Sequence, residues 1–537
     1  MSDSRSFKES FSNKNFDPVL FWSTLAIVMS ILFWGWFNLE SFEKVLGSMH
    51  GWVTVQFRWF FMYLFSFILL FLYFIAFSKY GNLKLGKAED KPEYSTFSWI
   101  AMLFSVGIGA GYAYWTIGEP LLHWQNTPYL AESGSQAAQS VGIAIGIFHW
   151  GFHSWGIFAL VGMAIAFPAY RYGMPLNIST SLYGLLGEKW CNSKPMKVVE
   201  IITIASTILG ISTVIGLGIQ STKGAFKYLL GIELSDWGVY AFILVLSLCF
   251  ISSAVSGIKR GIKHLSTLSI FVGFIWLFFI LFSGPTATLL NGMSQATGTY
   301  FQNIIYMSFF TDYPNNGPWL GWWTIFYFMF WAAFAPFSGG FIARISRGRT
   351  LREFVLGVTV IPTFVSIVWF SVIGGAGQWA EINKMASMVE SVKVDFGESI
   401  YLLMTVFDGG YAFSWLVFLS VFIFIVTTAD SASFFAGMQM SRGSAEPHIS
   451  VRGLQGLLMA GMAVLMTMAG GLSTYQMMAV MAGLPISLLM LFMTLSLFKL
   501  IKKEYEKEQV DKRIAEIEEQ KILIRKTLQT EMLNSPK

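Results

Sequence analysis

Apolar positions in this 537-residue chain gather into long runs separated by short polar stretches. A helix that crosses a bilayer needs roughly 20 such residues. Runs of that kind lie near 18–36, 55–78, 96–122, 141–168, 197–222, 236–255, 265–287, 317–342, 353–374, 411–439, 453–470 and 475–500. The pattern predicts an all-α membrane protein with 12 transmembrane helices. Basic residues test this reading, because Lys and Arg collect in cytoplasmic loops. They occupy alternate loops: Arg5, Lys8 and Lys14; Lys79, Lys84, Lys87 and Lys91; Arg171, Lys189, Lys194 and Lys197; Lys259, Arg260 and Lys263; Arg344, Arg347, Arg349 and Arg352; Arg442 and Arg452. The segments 124–140, 288–316 and 471–474 carry none. Lys223, Lys227, Lys384 and Lys393 are exceptions. Both termini are therefore expected in the cytoplasm. Residues 1–17 read as a polar tail without the apolar core of a signal peptide, so the first run would act as an uncleaved anchor.

Two spans carry helix breakers. The third reads SVGIGAGYAYWTIGEP over 105–120, with Gly107, Gly109 and Gly111 at alternate positions. Glycine is a poor helix former, and backbone freed at membrane depth is tolerated only against protein or a cavity. The alternative is close helix packing through small residues. The eighth span holds Pro336 and Gly339–Gly340, which predict a second break. Breaks five spans apart fit two five-helix units, 3–7 and 8–12, inverted because each has an odd number of helices. Interrupted helices at corresponding positions point to a substrate site. Between the halves, 297–311 suits a surface helix.

Aromatic residues add chemistry to those breaks. FHWGFHSWGIF in span four holds Trp150, Trp155 and Phe158, which one continuous helix would set on one broad side. Trp331 lies in span eight between Phe330 and Phe334. Facing each other, these rings would form a cage for a cation, since ring faces carry negative potential. Ordinary packing is the competing reading in a chain that is 17% aromatic. Ionisable residues at membrane depth are few: Arg58, Glu119, His149, His153 and Asp430. No carboxylate is expected beside the glycine run or the tryptophans. A ligand bringing its own carboxylate would suit such a site, held by backbone N–H groups around Ile108 and Ala110. His149 and His153 read first as structural hydrogen-bonders, with proton carriage as the alternative. Thr427 and Thr428 offer hard oxygen ligands of the kind sodium prefers, or helix–helix hydrogen bonds.

With 54% hydrophobic and 12% charged residues the chain is too apolar for a soluble protein of this length. Cys191 and Cys249 make no disulfide framework and no metal spacing. After 500 the character changes to charged, mixed-sign and helix-prone, which predicts a cytoplasmic helical tail over 501–537, solvated or regulatory. The domains expected are thus 1–17, a transmembrane body over 18–500 with repeats at about 96–287 and 317–500, and that tail. No feature calls for nucleic acid or a bound cofactor.

GIGAGYAYWTIGEP, HWGFHSWGIFALVGMAIAF, APFSGGFIARISRGRTLREFVLGV and VTTADSASFFAGM together resemble the betaine/choline/carnitine transporter family. The resemblance implies two accessory helices, a five-plus-five inverted repeat, alternating access and often a homotrimer in the inner membrane. It implies an aromatic box at Trp150, Trp155, Phe158 and Trp331, with Phe330 and Phe334 where the family often has Trp. The glycine-run positions Gly107, Ile108, Gly109, Ala110 and Gly111 would hold the substrate carboxylate. One implied sodium site takes carbonyls of Ser105, Ile108 and Phe424 with the hydroxyls of Thr427 and Thr428. A second takes Thr207 and Phe337, but Ile211 stands where the family often has Thr. Choline members tend to carry an acidic residue where Gly111 stands, which favours a zwitterionic substrate. The expected function is sodium-driven import of glycine betaine or a sulfonium such as dimethylsulfoniopropionate. Alternatives are proton-coupled choline transport, carnitine-type exchange or, outside transport, a substrate-sensing membrane receptor. No nucleophile–base pair or metal-ligand set supports an enzyme.

Overall fold

The computed structural model describes residues 16–534 apart from 108–109, 192, 257–258 and 442–446, and the side chains of 105–107, 110, 254–256, 259–264, 266 and 530–534 are also outside it. Seventeen helices of eight residues or more carry the described fold. The first eight are α1 Pro18–Phe37, α2 Leu39–Gln56, α3 Arg58–Phe77, α4 Thr96–Gly107, α5 Ala110–Gln125, α6 Gln136–Trp150, α7 Phe152–Tyr172 and α8 Met196–Leu230. Then come α9 Asp236–Ser256, α10 Lys259–Ser283, α11 Thr286–Phe309, α12 Phe326–Ile345, α13 Leu351–Trp369, α14 Gly375–Ile382, α15 Gly410–Met440, α16 Ile449–Met468 and α17 Leu472–Asn534. Among the described residues there is no strand, only one antiparallel bridge between Lys84 and Thr350.

Ten helices are long and apolar enough to cross a membrane, or eleven if the bent pair α10–α11 counts as one span. Twelve were expected. The differences lie at 265–287, which qualifies only as part of the bent pair, and at 96–122, where α4 and α5 are each too short to qualify and flank Ile108–Gly109, outside the described residues. The surface helix expected at 297–311 is the longer α11, which turns 111° away from α10.

The break expected in span eight is absent, because α12 runs unbroken through Pro336, Gly339 and Gly340. Only Phe341 and Arg344 of that helix escape burial, so its neighbours hold it straight. Proline removes one N–H, and a surrounded membrane helix tolerates that loss. The glycine pair serves packing. A Cβ at Gly339 would lie 2.7 Å from Val161 Cγ1 on α7, and one at Gly340 would lie 2.6 Å from Phe435 Cε2 on α15. Irregular backbone appears instead as π-helical turns at Gly321–Ile325 and Phe370–Gly374.

Span four, expected as one helix, is divided at Gly151 (φ −102°, ψ −135°) into α6 and α7. Carbonyls freed there are met by hydroxyls. Ser154 donates to the His149 carbonyl, and Ser366 on α13 donates to the Trp150 carbonyl at 2.8 Å. Helix ends inside a membrane protein need such partners.

Loop residues Leu83 and Leu85 pair with the Arg-rich turn before α13: Leu85 N–H to Arg349 O at 2.8 Å and Leu351 N–H to Leu83 O at 2.8 Å. Arg349 is buried, bonds Glu353 and the Tyr94 carbonyl, and lies 4.1 Å over the Trp99 ring. Thr350 caps α13 by accepting from the Glu353 N–H at 3.1 Å, as a T-x-x-E box does.

Asp17 caps α1, accepting from the Val19 and Leu20 amides at 3.1 and 3.3 Å, and pairs with Lys197 of α8 at 2.5 Å. Burial pushes its carboxyl up, but the Lys197 bond, those amides and the Lys197 charge together outweigh it, leaving it below the usual carboxylate range. At the other end α17 passes the expected boundary at 500 without interruption. Its 63 residues span about 95 Å.

Candidate substrate site

The aromatic residues singled out in the sequence meet at one place. Trp150 ends α6, Trp155 and Phe158 lie on α7, and Trp331 reaches them from α12. Ring centroids are 5.3 Å for Trp150–Trp331, 5.9 Å for Trp155–Trp331 and 4.9 Å for Phe158–Trp331. Phe334 stacks on Phe158 at 6.0 Å, and Phe330 lies 6.3 Å from Trp331. Gly151 separates Trp150 from Trp155 and Phe158 along the chain, and Trp331 of α12 touches all three. All six rings are at most 8% exposed, so the cluster is buried. The indole N–H of Trp331 has no hydrogen-bond partner.

Two aromatic neighbours escaped the sequence reading. Tyr112, directly after Gly111, lies 4.6 Å from Trp150 and hydrogen-bonds Ser366 at 2.8 Å. Tyr327, one turn before Trp331, lies 5.7 Å from Trp150. Their signal was present as helical spacing from residues already chosen. Gly111 itself is a close approach: a Cβ there would lie 2.8 Å from Trp150 Cη2.

A carboxylate does stand beside the tryptophans, contrary to the sequence reading. Glu119 on α5 is fully buried and bonds His149, the residue before Trp150. Its other oxygen accepts from the Tyr327 hydroxyl at 2.8 Å. Glu119 is eight residues beyond Gly111, and only the packing of α5 on α6 brings it to Trp150. His149 Nε2 meets Thr324 Oγ1 at 2.9 Å, and His153 Nε2 meets Ser308 Oγ at 3.1 Å, so both act as hydrogen-bonders.

Of the glycine-run positions, Ile108 and Gly109 lie outside the described residues, while Gly107 ends α4 and Ala110 begins α5. Ser105 is within α4, and its side chain is outside the described residues. Phe424, Thr427 and Thr428 lie together on α15, which packs against α5 and α8. Thr427 is buried and donates to the Ile423 carbonyl at 2.8 Å, which leaves its lone pairs free. An all-oxygen set of this kind fits sodium. Thr207 is buried on α8 and donates to the Thr203 carbonyl at 2.9 Å. Three residues on, Gly210 packs against Ala333, a turn before Phe337 on α12. Phe337 lies within the unbroken helix, and its ring fits between Phe334 and Phe435 at 5.3 and 5.8 Å. Its carbonyl is thus not freed as a broken helix would have freed it. Asp430, also on α15, is paired with Arg452 and Ser253.

A family profile described as BCCT, betaine/carnitine/choline family transporter, matches residues 19–506. The chain belongs to this family. As a family member it is a multi-pass membrane transporter and not an enzyme. It is 35% identical over 490 residues to the glycine betaine transporter OpuD of Bacillus subtilis, covering 90% of this chain and 94% of that one. It is 34% identical to an ectoine/hydroxyectoine transporter of Virgibacillus pantothenticus, over 92% of this chain and 98% of the relative. An osmo-dependent choline transporter, BetT2, of Acinetobacter baylyi is 33% identical over 86% of this chain and 68% of its own length. Membership explains why the segments around the aromatic cluster and the Arg349 turn stand out in the sequence.

Proposed function

We propose that this transporter imports a zwitterionic onium compound, glycine betaine or a sulfonium of similar size, driven by sodium. The observation that carries the reading is the meeting of Trp150, Trp155, Phe158 and Trp331 across α6, α7 and α12, with centroid separations of 4.9 to 5.9 Å to Trp331. Ring faces attract a methylated cation that offers no hydrogen bond, and desolvation strengthens the attraction to about 2 kcal/mol per good contact. The substrate carboxylate would be met by backbone N–H groups of the 107–111 run. Sodium would bind at Thr427, Thr428 and the Phe424 carbonyl with Ser105 and Ile108, tying α15 to the end of α4. A second ion at Thr207 has weaker support, since Phe337 lies in regular helix. The reading includes an inverted repeat of spans 3–7 and 8–12, both termini cytoplasmic, the inner membrane and a homotrimer.

The names of the relatives bear on substrate. The Bacillus and Virgibacillus proteins are named for zwitterions, glycine betaine and ectoine. Gly111 supports the same class here, because it stands where choline members tend to carry an acidic residue. Substitution of the ring at the centre tests the site. Trp331→Ala should weaken binding of labelled glycine betaine to the purified protein by about thirtyfold, the equivalent of about 2 kcal/mol, with Trp331→Phe intermediate. Unchanged affinity in Trp331→Ala would remove the cluster as the binding site.

A further inference from the structure

The Glu119 cluster is not used by the substrate reading, and its hydrogen inventory is informative. Glu119, His123 and His149 are at most 1% exposed and present ligand atoms within 4.8 Å of one another. His149 carries one proton when neutral. If that proton is on Nδ1 it goes to Glu119 Oε1, and Nε2 then accepts from the Thr324 hydroxyl. Tyr327 donates to Oε2. Each carboxylate oxygen then has one donor. Three buried nitrogens around it have no hydrogen-bond partner, Trp150 Nε1, Trp319 Nε1 and His123 Nε2, and of these only His123, 3.6 Å from Glu119 Oε1, can take up a proton. The gap is slightly too long for a bond and closes to one with a small side-chain movement.

We propose that Glu119 and His123 form a proton-binding site, with the added proton shared across that gap. Nothing covalent changes: one proton enters, and the carboxylate–imidazole pair holds it. The site is faced from every packed element, and the Trp150 indole of α6 lies beside Glu119. His123 shares α5 with Glu119; His149 comes from α6; Thr324 and Tyr327 come from the turn before α12 and its first residues. Trp319 and Trp323 cover His123 at 5.3 and 4.4 Å, and Tyr129 is an electrostatic neighbour of Glu119. Gln378 of α14 reaches the Pro120 carbonyl and not the carboxylate. The shown partners are neutral or themselves titratable, which is the setting in which a buried carboxylate holds a proton.

Position makes the site useful. It joins α5 and α6 of the first half to α12 of the second, one residue from Trp150 and one turn from Trp331. Separation of the halves breaks the Tyr327 and Thr324 bonds, and a proton taken up by Glu119 and His123 replaces them. Proton binding is then linked to opening of the aromatic cluster. A divalent metal such as zinc is the competing ligand for these three residues. It is disfavoured because Glu119 Oε1 and His149 Nδ1 are already bonded directly to each other.

Infrared difference spectroscopy of the purified full-length protein, titrated from neutral to acidic pH, tests the site without any substrate. The expected result is a protonated-carboxyl band that is lost in Glu119→Gln, with its midpoint shifted in His123→Gln. Absence of the band, or its persistence in Glu119→Gln, overturns the proposal. So does stoichiometric zinc by elemental analysis that disappears in His123→Gln. The linkage to opening rests on the transport reading and has its own readout. Proteoliposomes carrying an internal pH dye should acidify during glycine betaine uptake, and Glu119→Gln should abolish that signal. Uptake without acidification in the parent overturns the linkage, whereas absence of uptake bears on the transport reading and leaves the infrared result standing.

Discussion

At Gly111 a methyl group would lie 2.8 Å from the outer edge of Trp150, closer than real Cβ contacts come. Glycine there sets how near α5 stands to the ring, whatever the backbone at 108–109 does. Gly111→Val should displace Trp150, abolish labelled substrate binding and lower stability by about 1–3 kcal/mol in thermal unfolding, as overpacking does. Gly339 differs in consequence. A side chain there meets Val161 on α7 and none of the rings of the aromatic cluster, so Gly339→Val should lower the melting temperature with smaller loss of affinity among the molecules that remain folded. The sequence showed these glycines as breakers because propensity is a local property. Which neighbour presses on them is tertiary, and that decided between hinge and packing at Gly339–Gly340. Trp150, Trp155, Phe158 and Trp331 were legible because their types are distinctive. Glu119 was misjudged because its partners His149 and Tyr327 lie 30 and 208 positions away.

Helices were legible wherever a long apolar run ended in polar residues, as at α1, α3, α8 and α15. Their interruptions were less so. Gly151 interrupts span four while Pro336 fails to interrupt span eight, since Ser154 and Ser366 supply partners at the first and dense burial restrains the second. The attachment of α1 gives an element-scale test. Asp17 holds α1 to Lys197 of α8, with its carboxyl net below the ordinary range. A depressed carboxyl contributes stability that is complete above its unfolded value of about 3.9 and is lost as pH falls through the folded value. Thermal unfolding at successively lower pH should therefore show an acid-side loss that Asp17→Asn reduces. Identical pH profiles for the two proteins would rule out the Asp17–Lys197 pair as its source.

Across the whole molecule, α17 runs from the packed interior into an exposed extension. Arg171 on α7 pairs with Glu504 and Glu508 at 3.0 and 2.9 Å, and Tyr172 donates to Glu504 at 2.6 Å. Residues 511–529 are exposed throughout. Truncation after Asp511 should leave the melting temperature of the purified transporter unchanged. Truncation after Lys503 removes both glutamates, leaves the mostly buried Arg171 guanidinium without them, and should lower it measurably. Ten of the twelve expected runs are helices long enough to cross a membrane, 265–287 joins them only if α10 and α11 count as one span, and 96–122 does not reach that length among the described residues, because run length in sequence does not report a bend. Coupling is a property of the whole cycle, and no single side chain reports it. The direct test is uptake of labelled glycine betaine into proteoliposomes under an inward sodium gradient, compared with equimolar potassium at the same pH. Accumulation with sodium alone, lost in Trp331→Ala, is the predicted result; equal accumulation with potassium contradicts it.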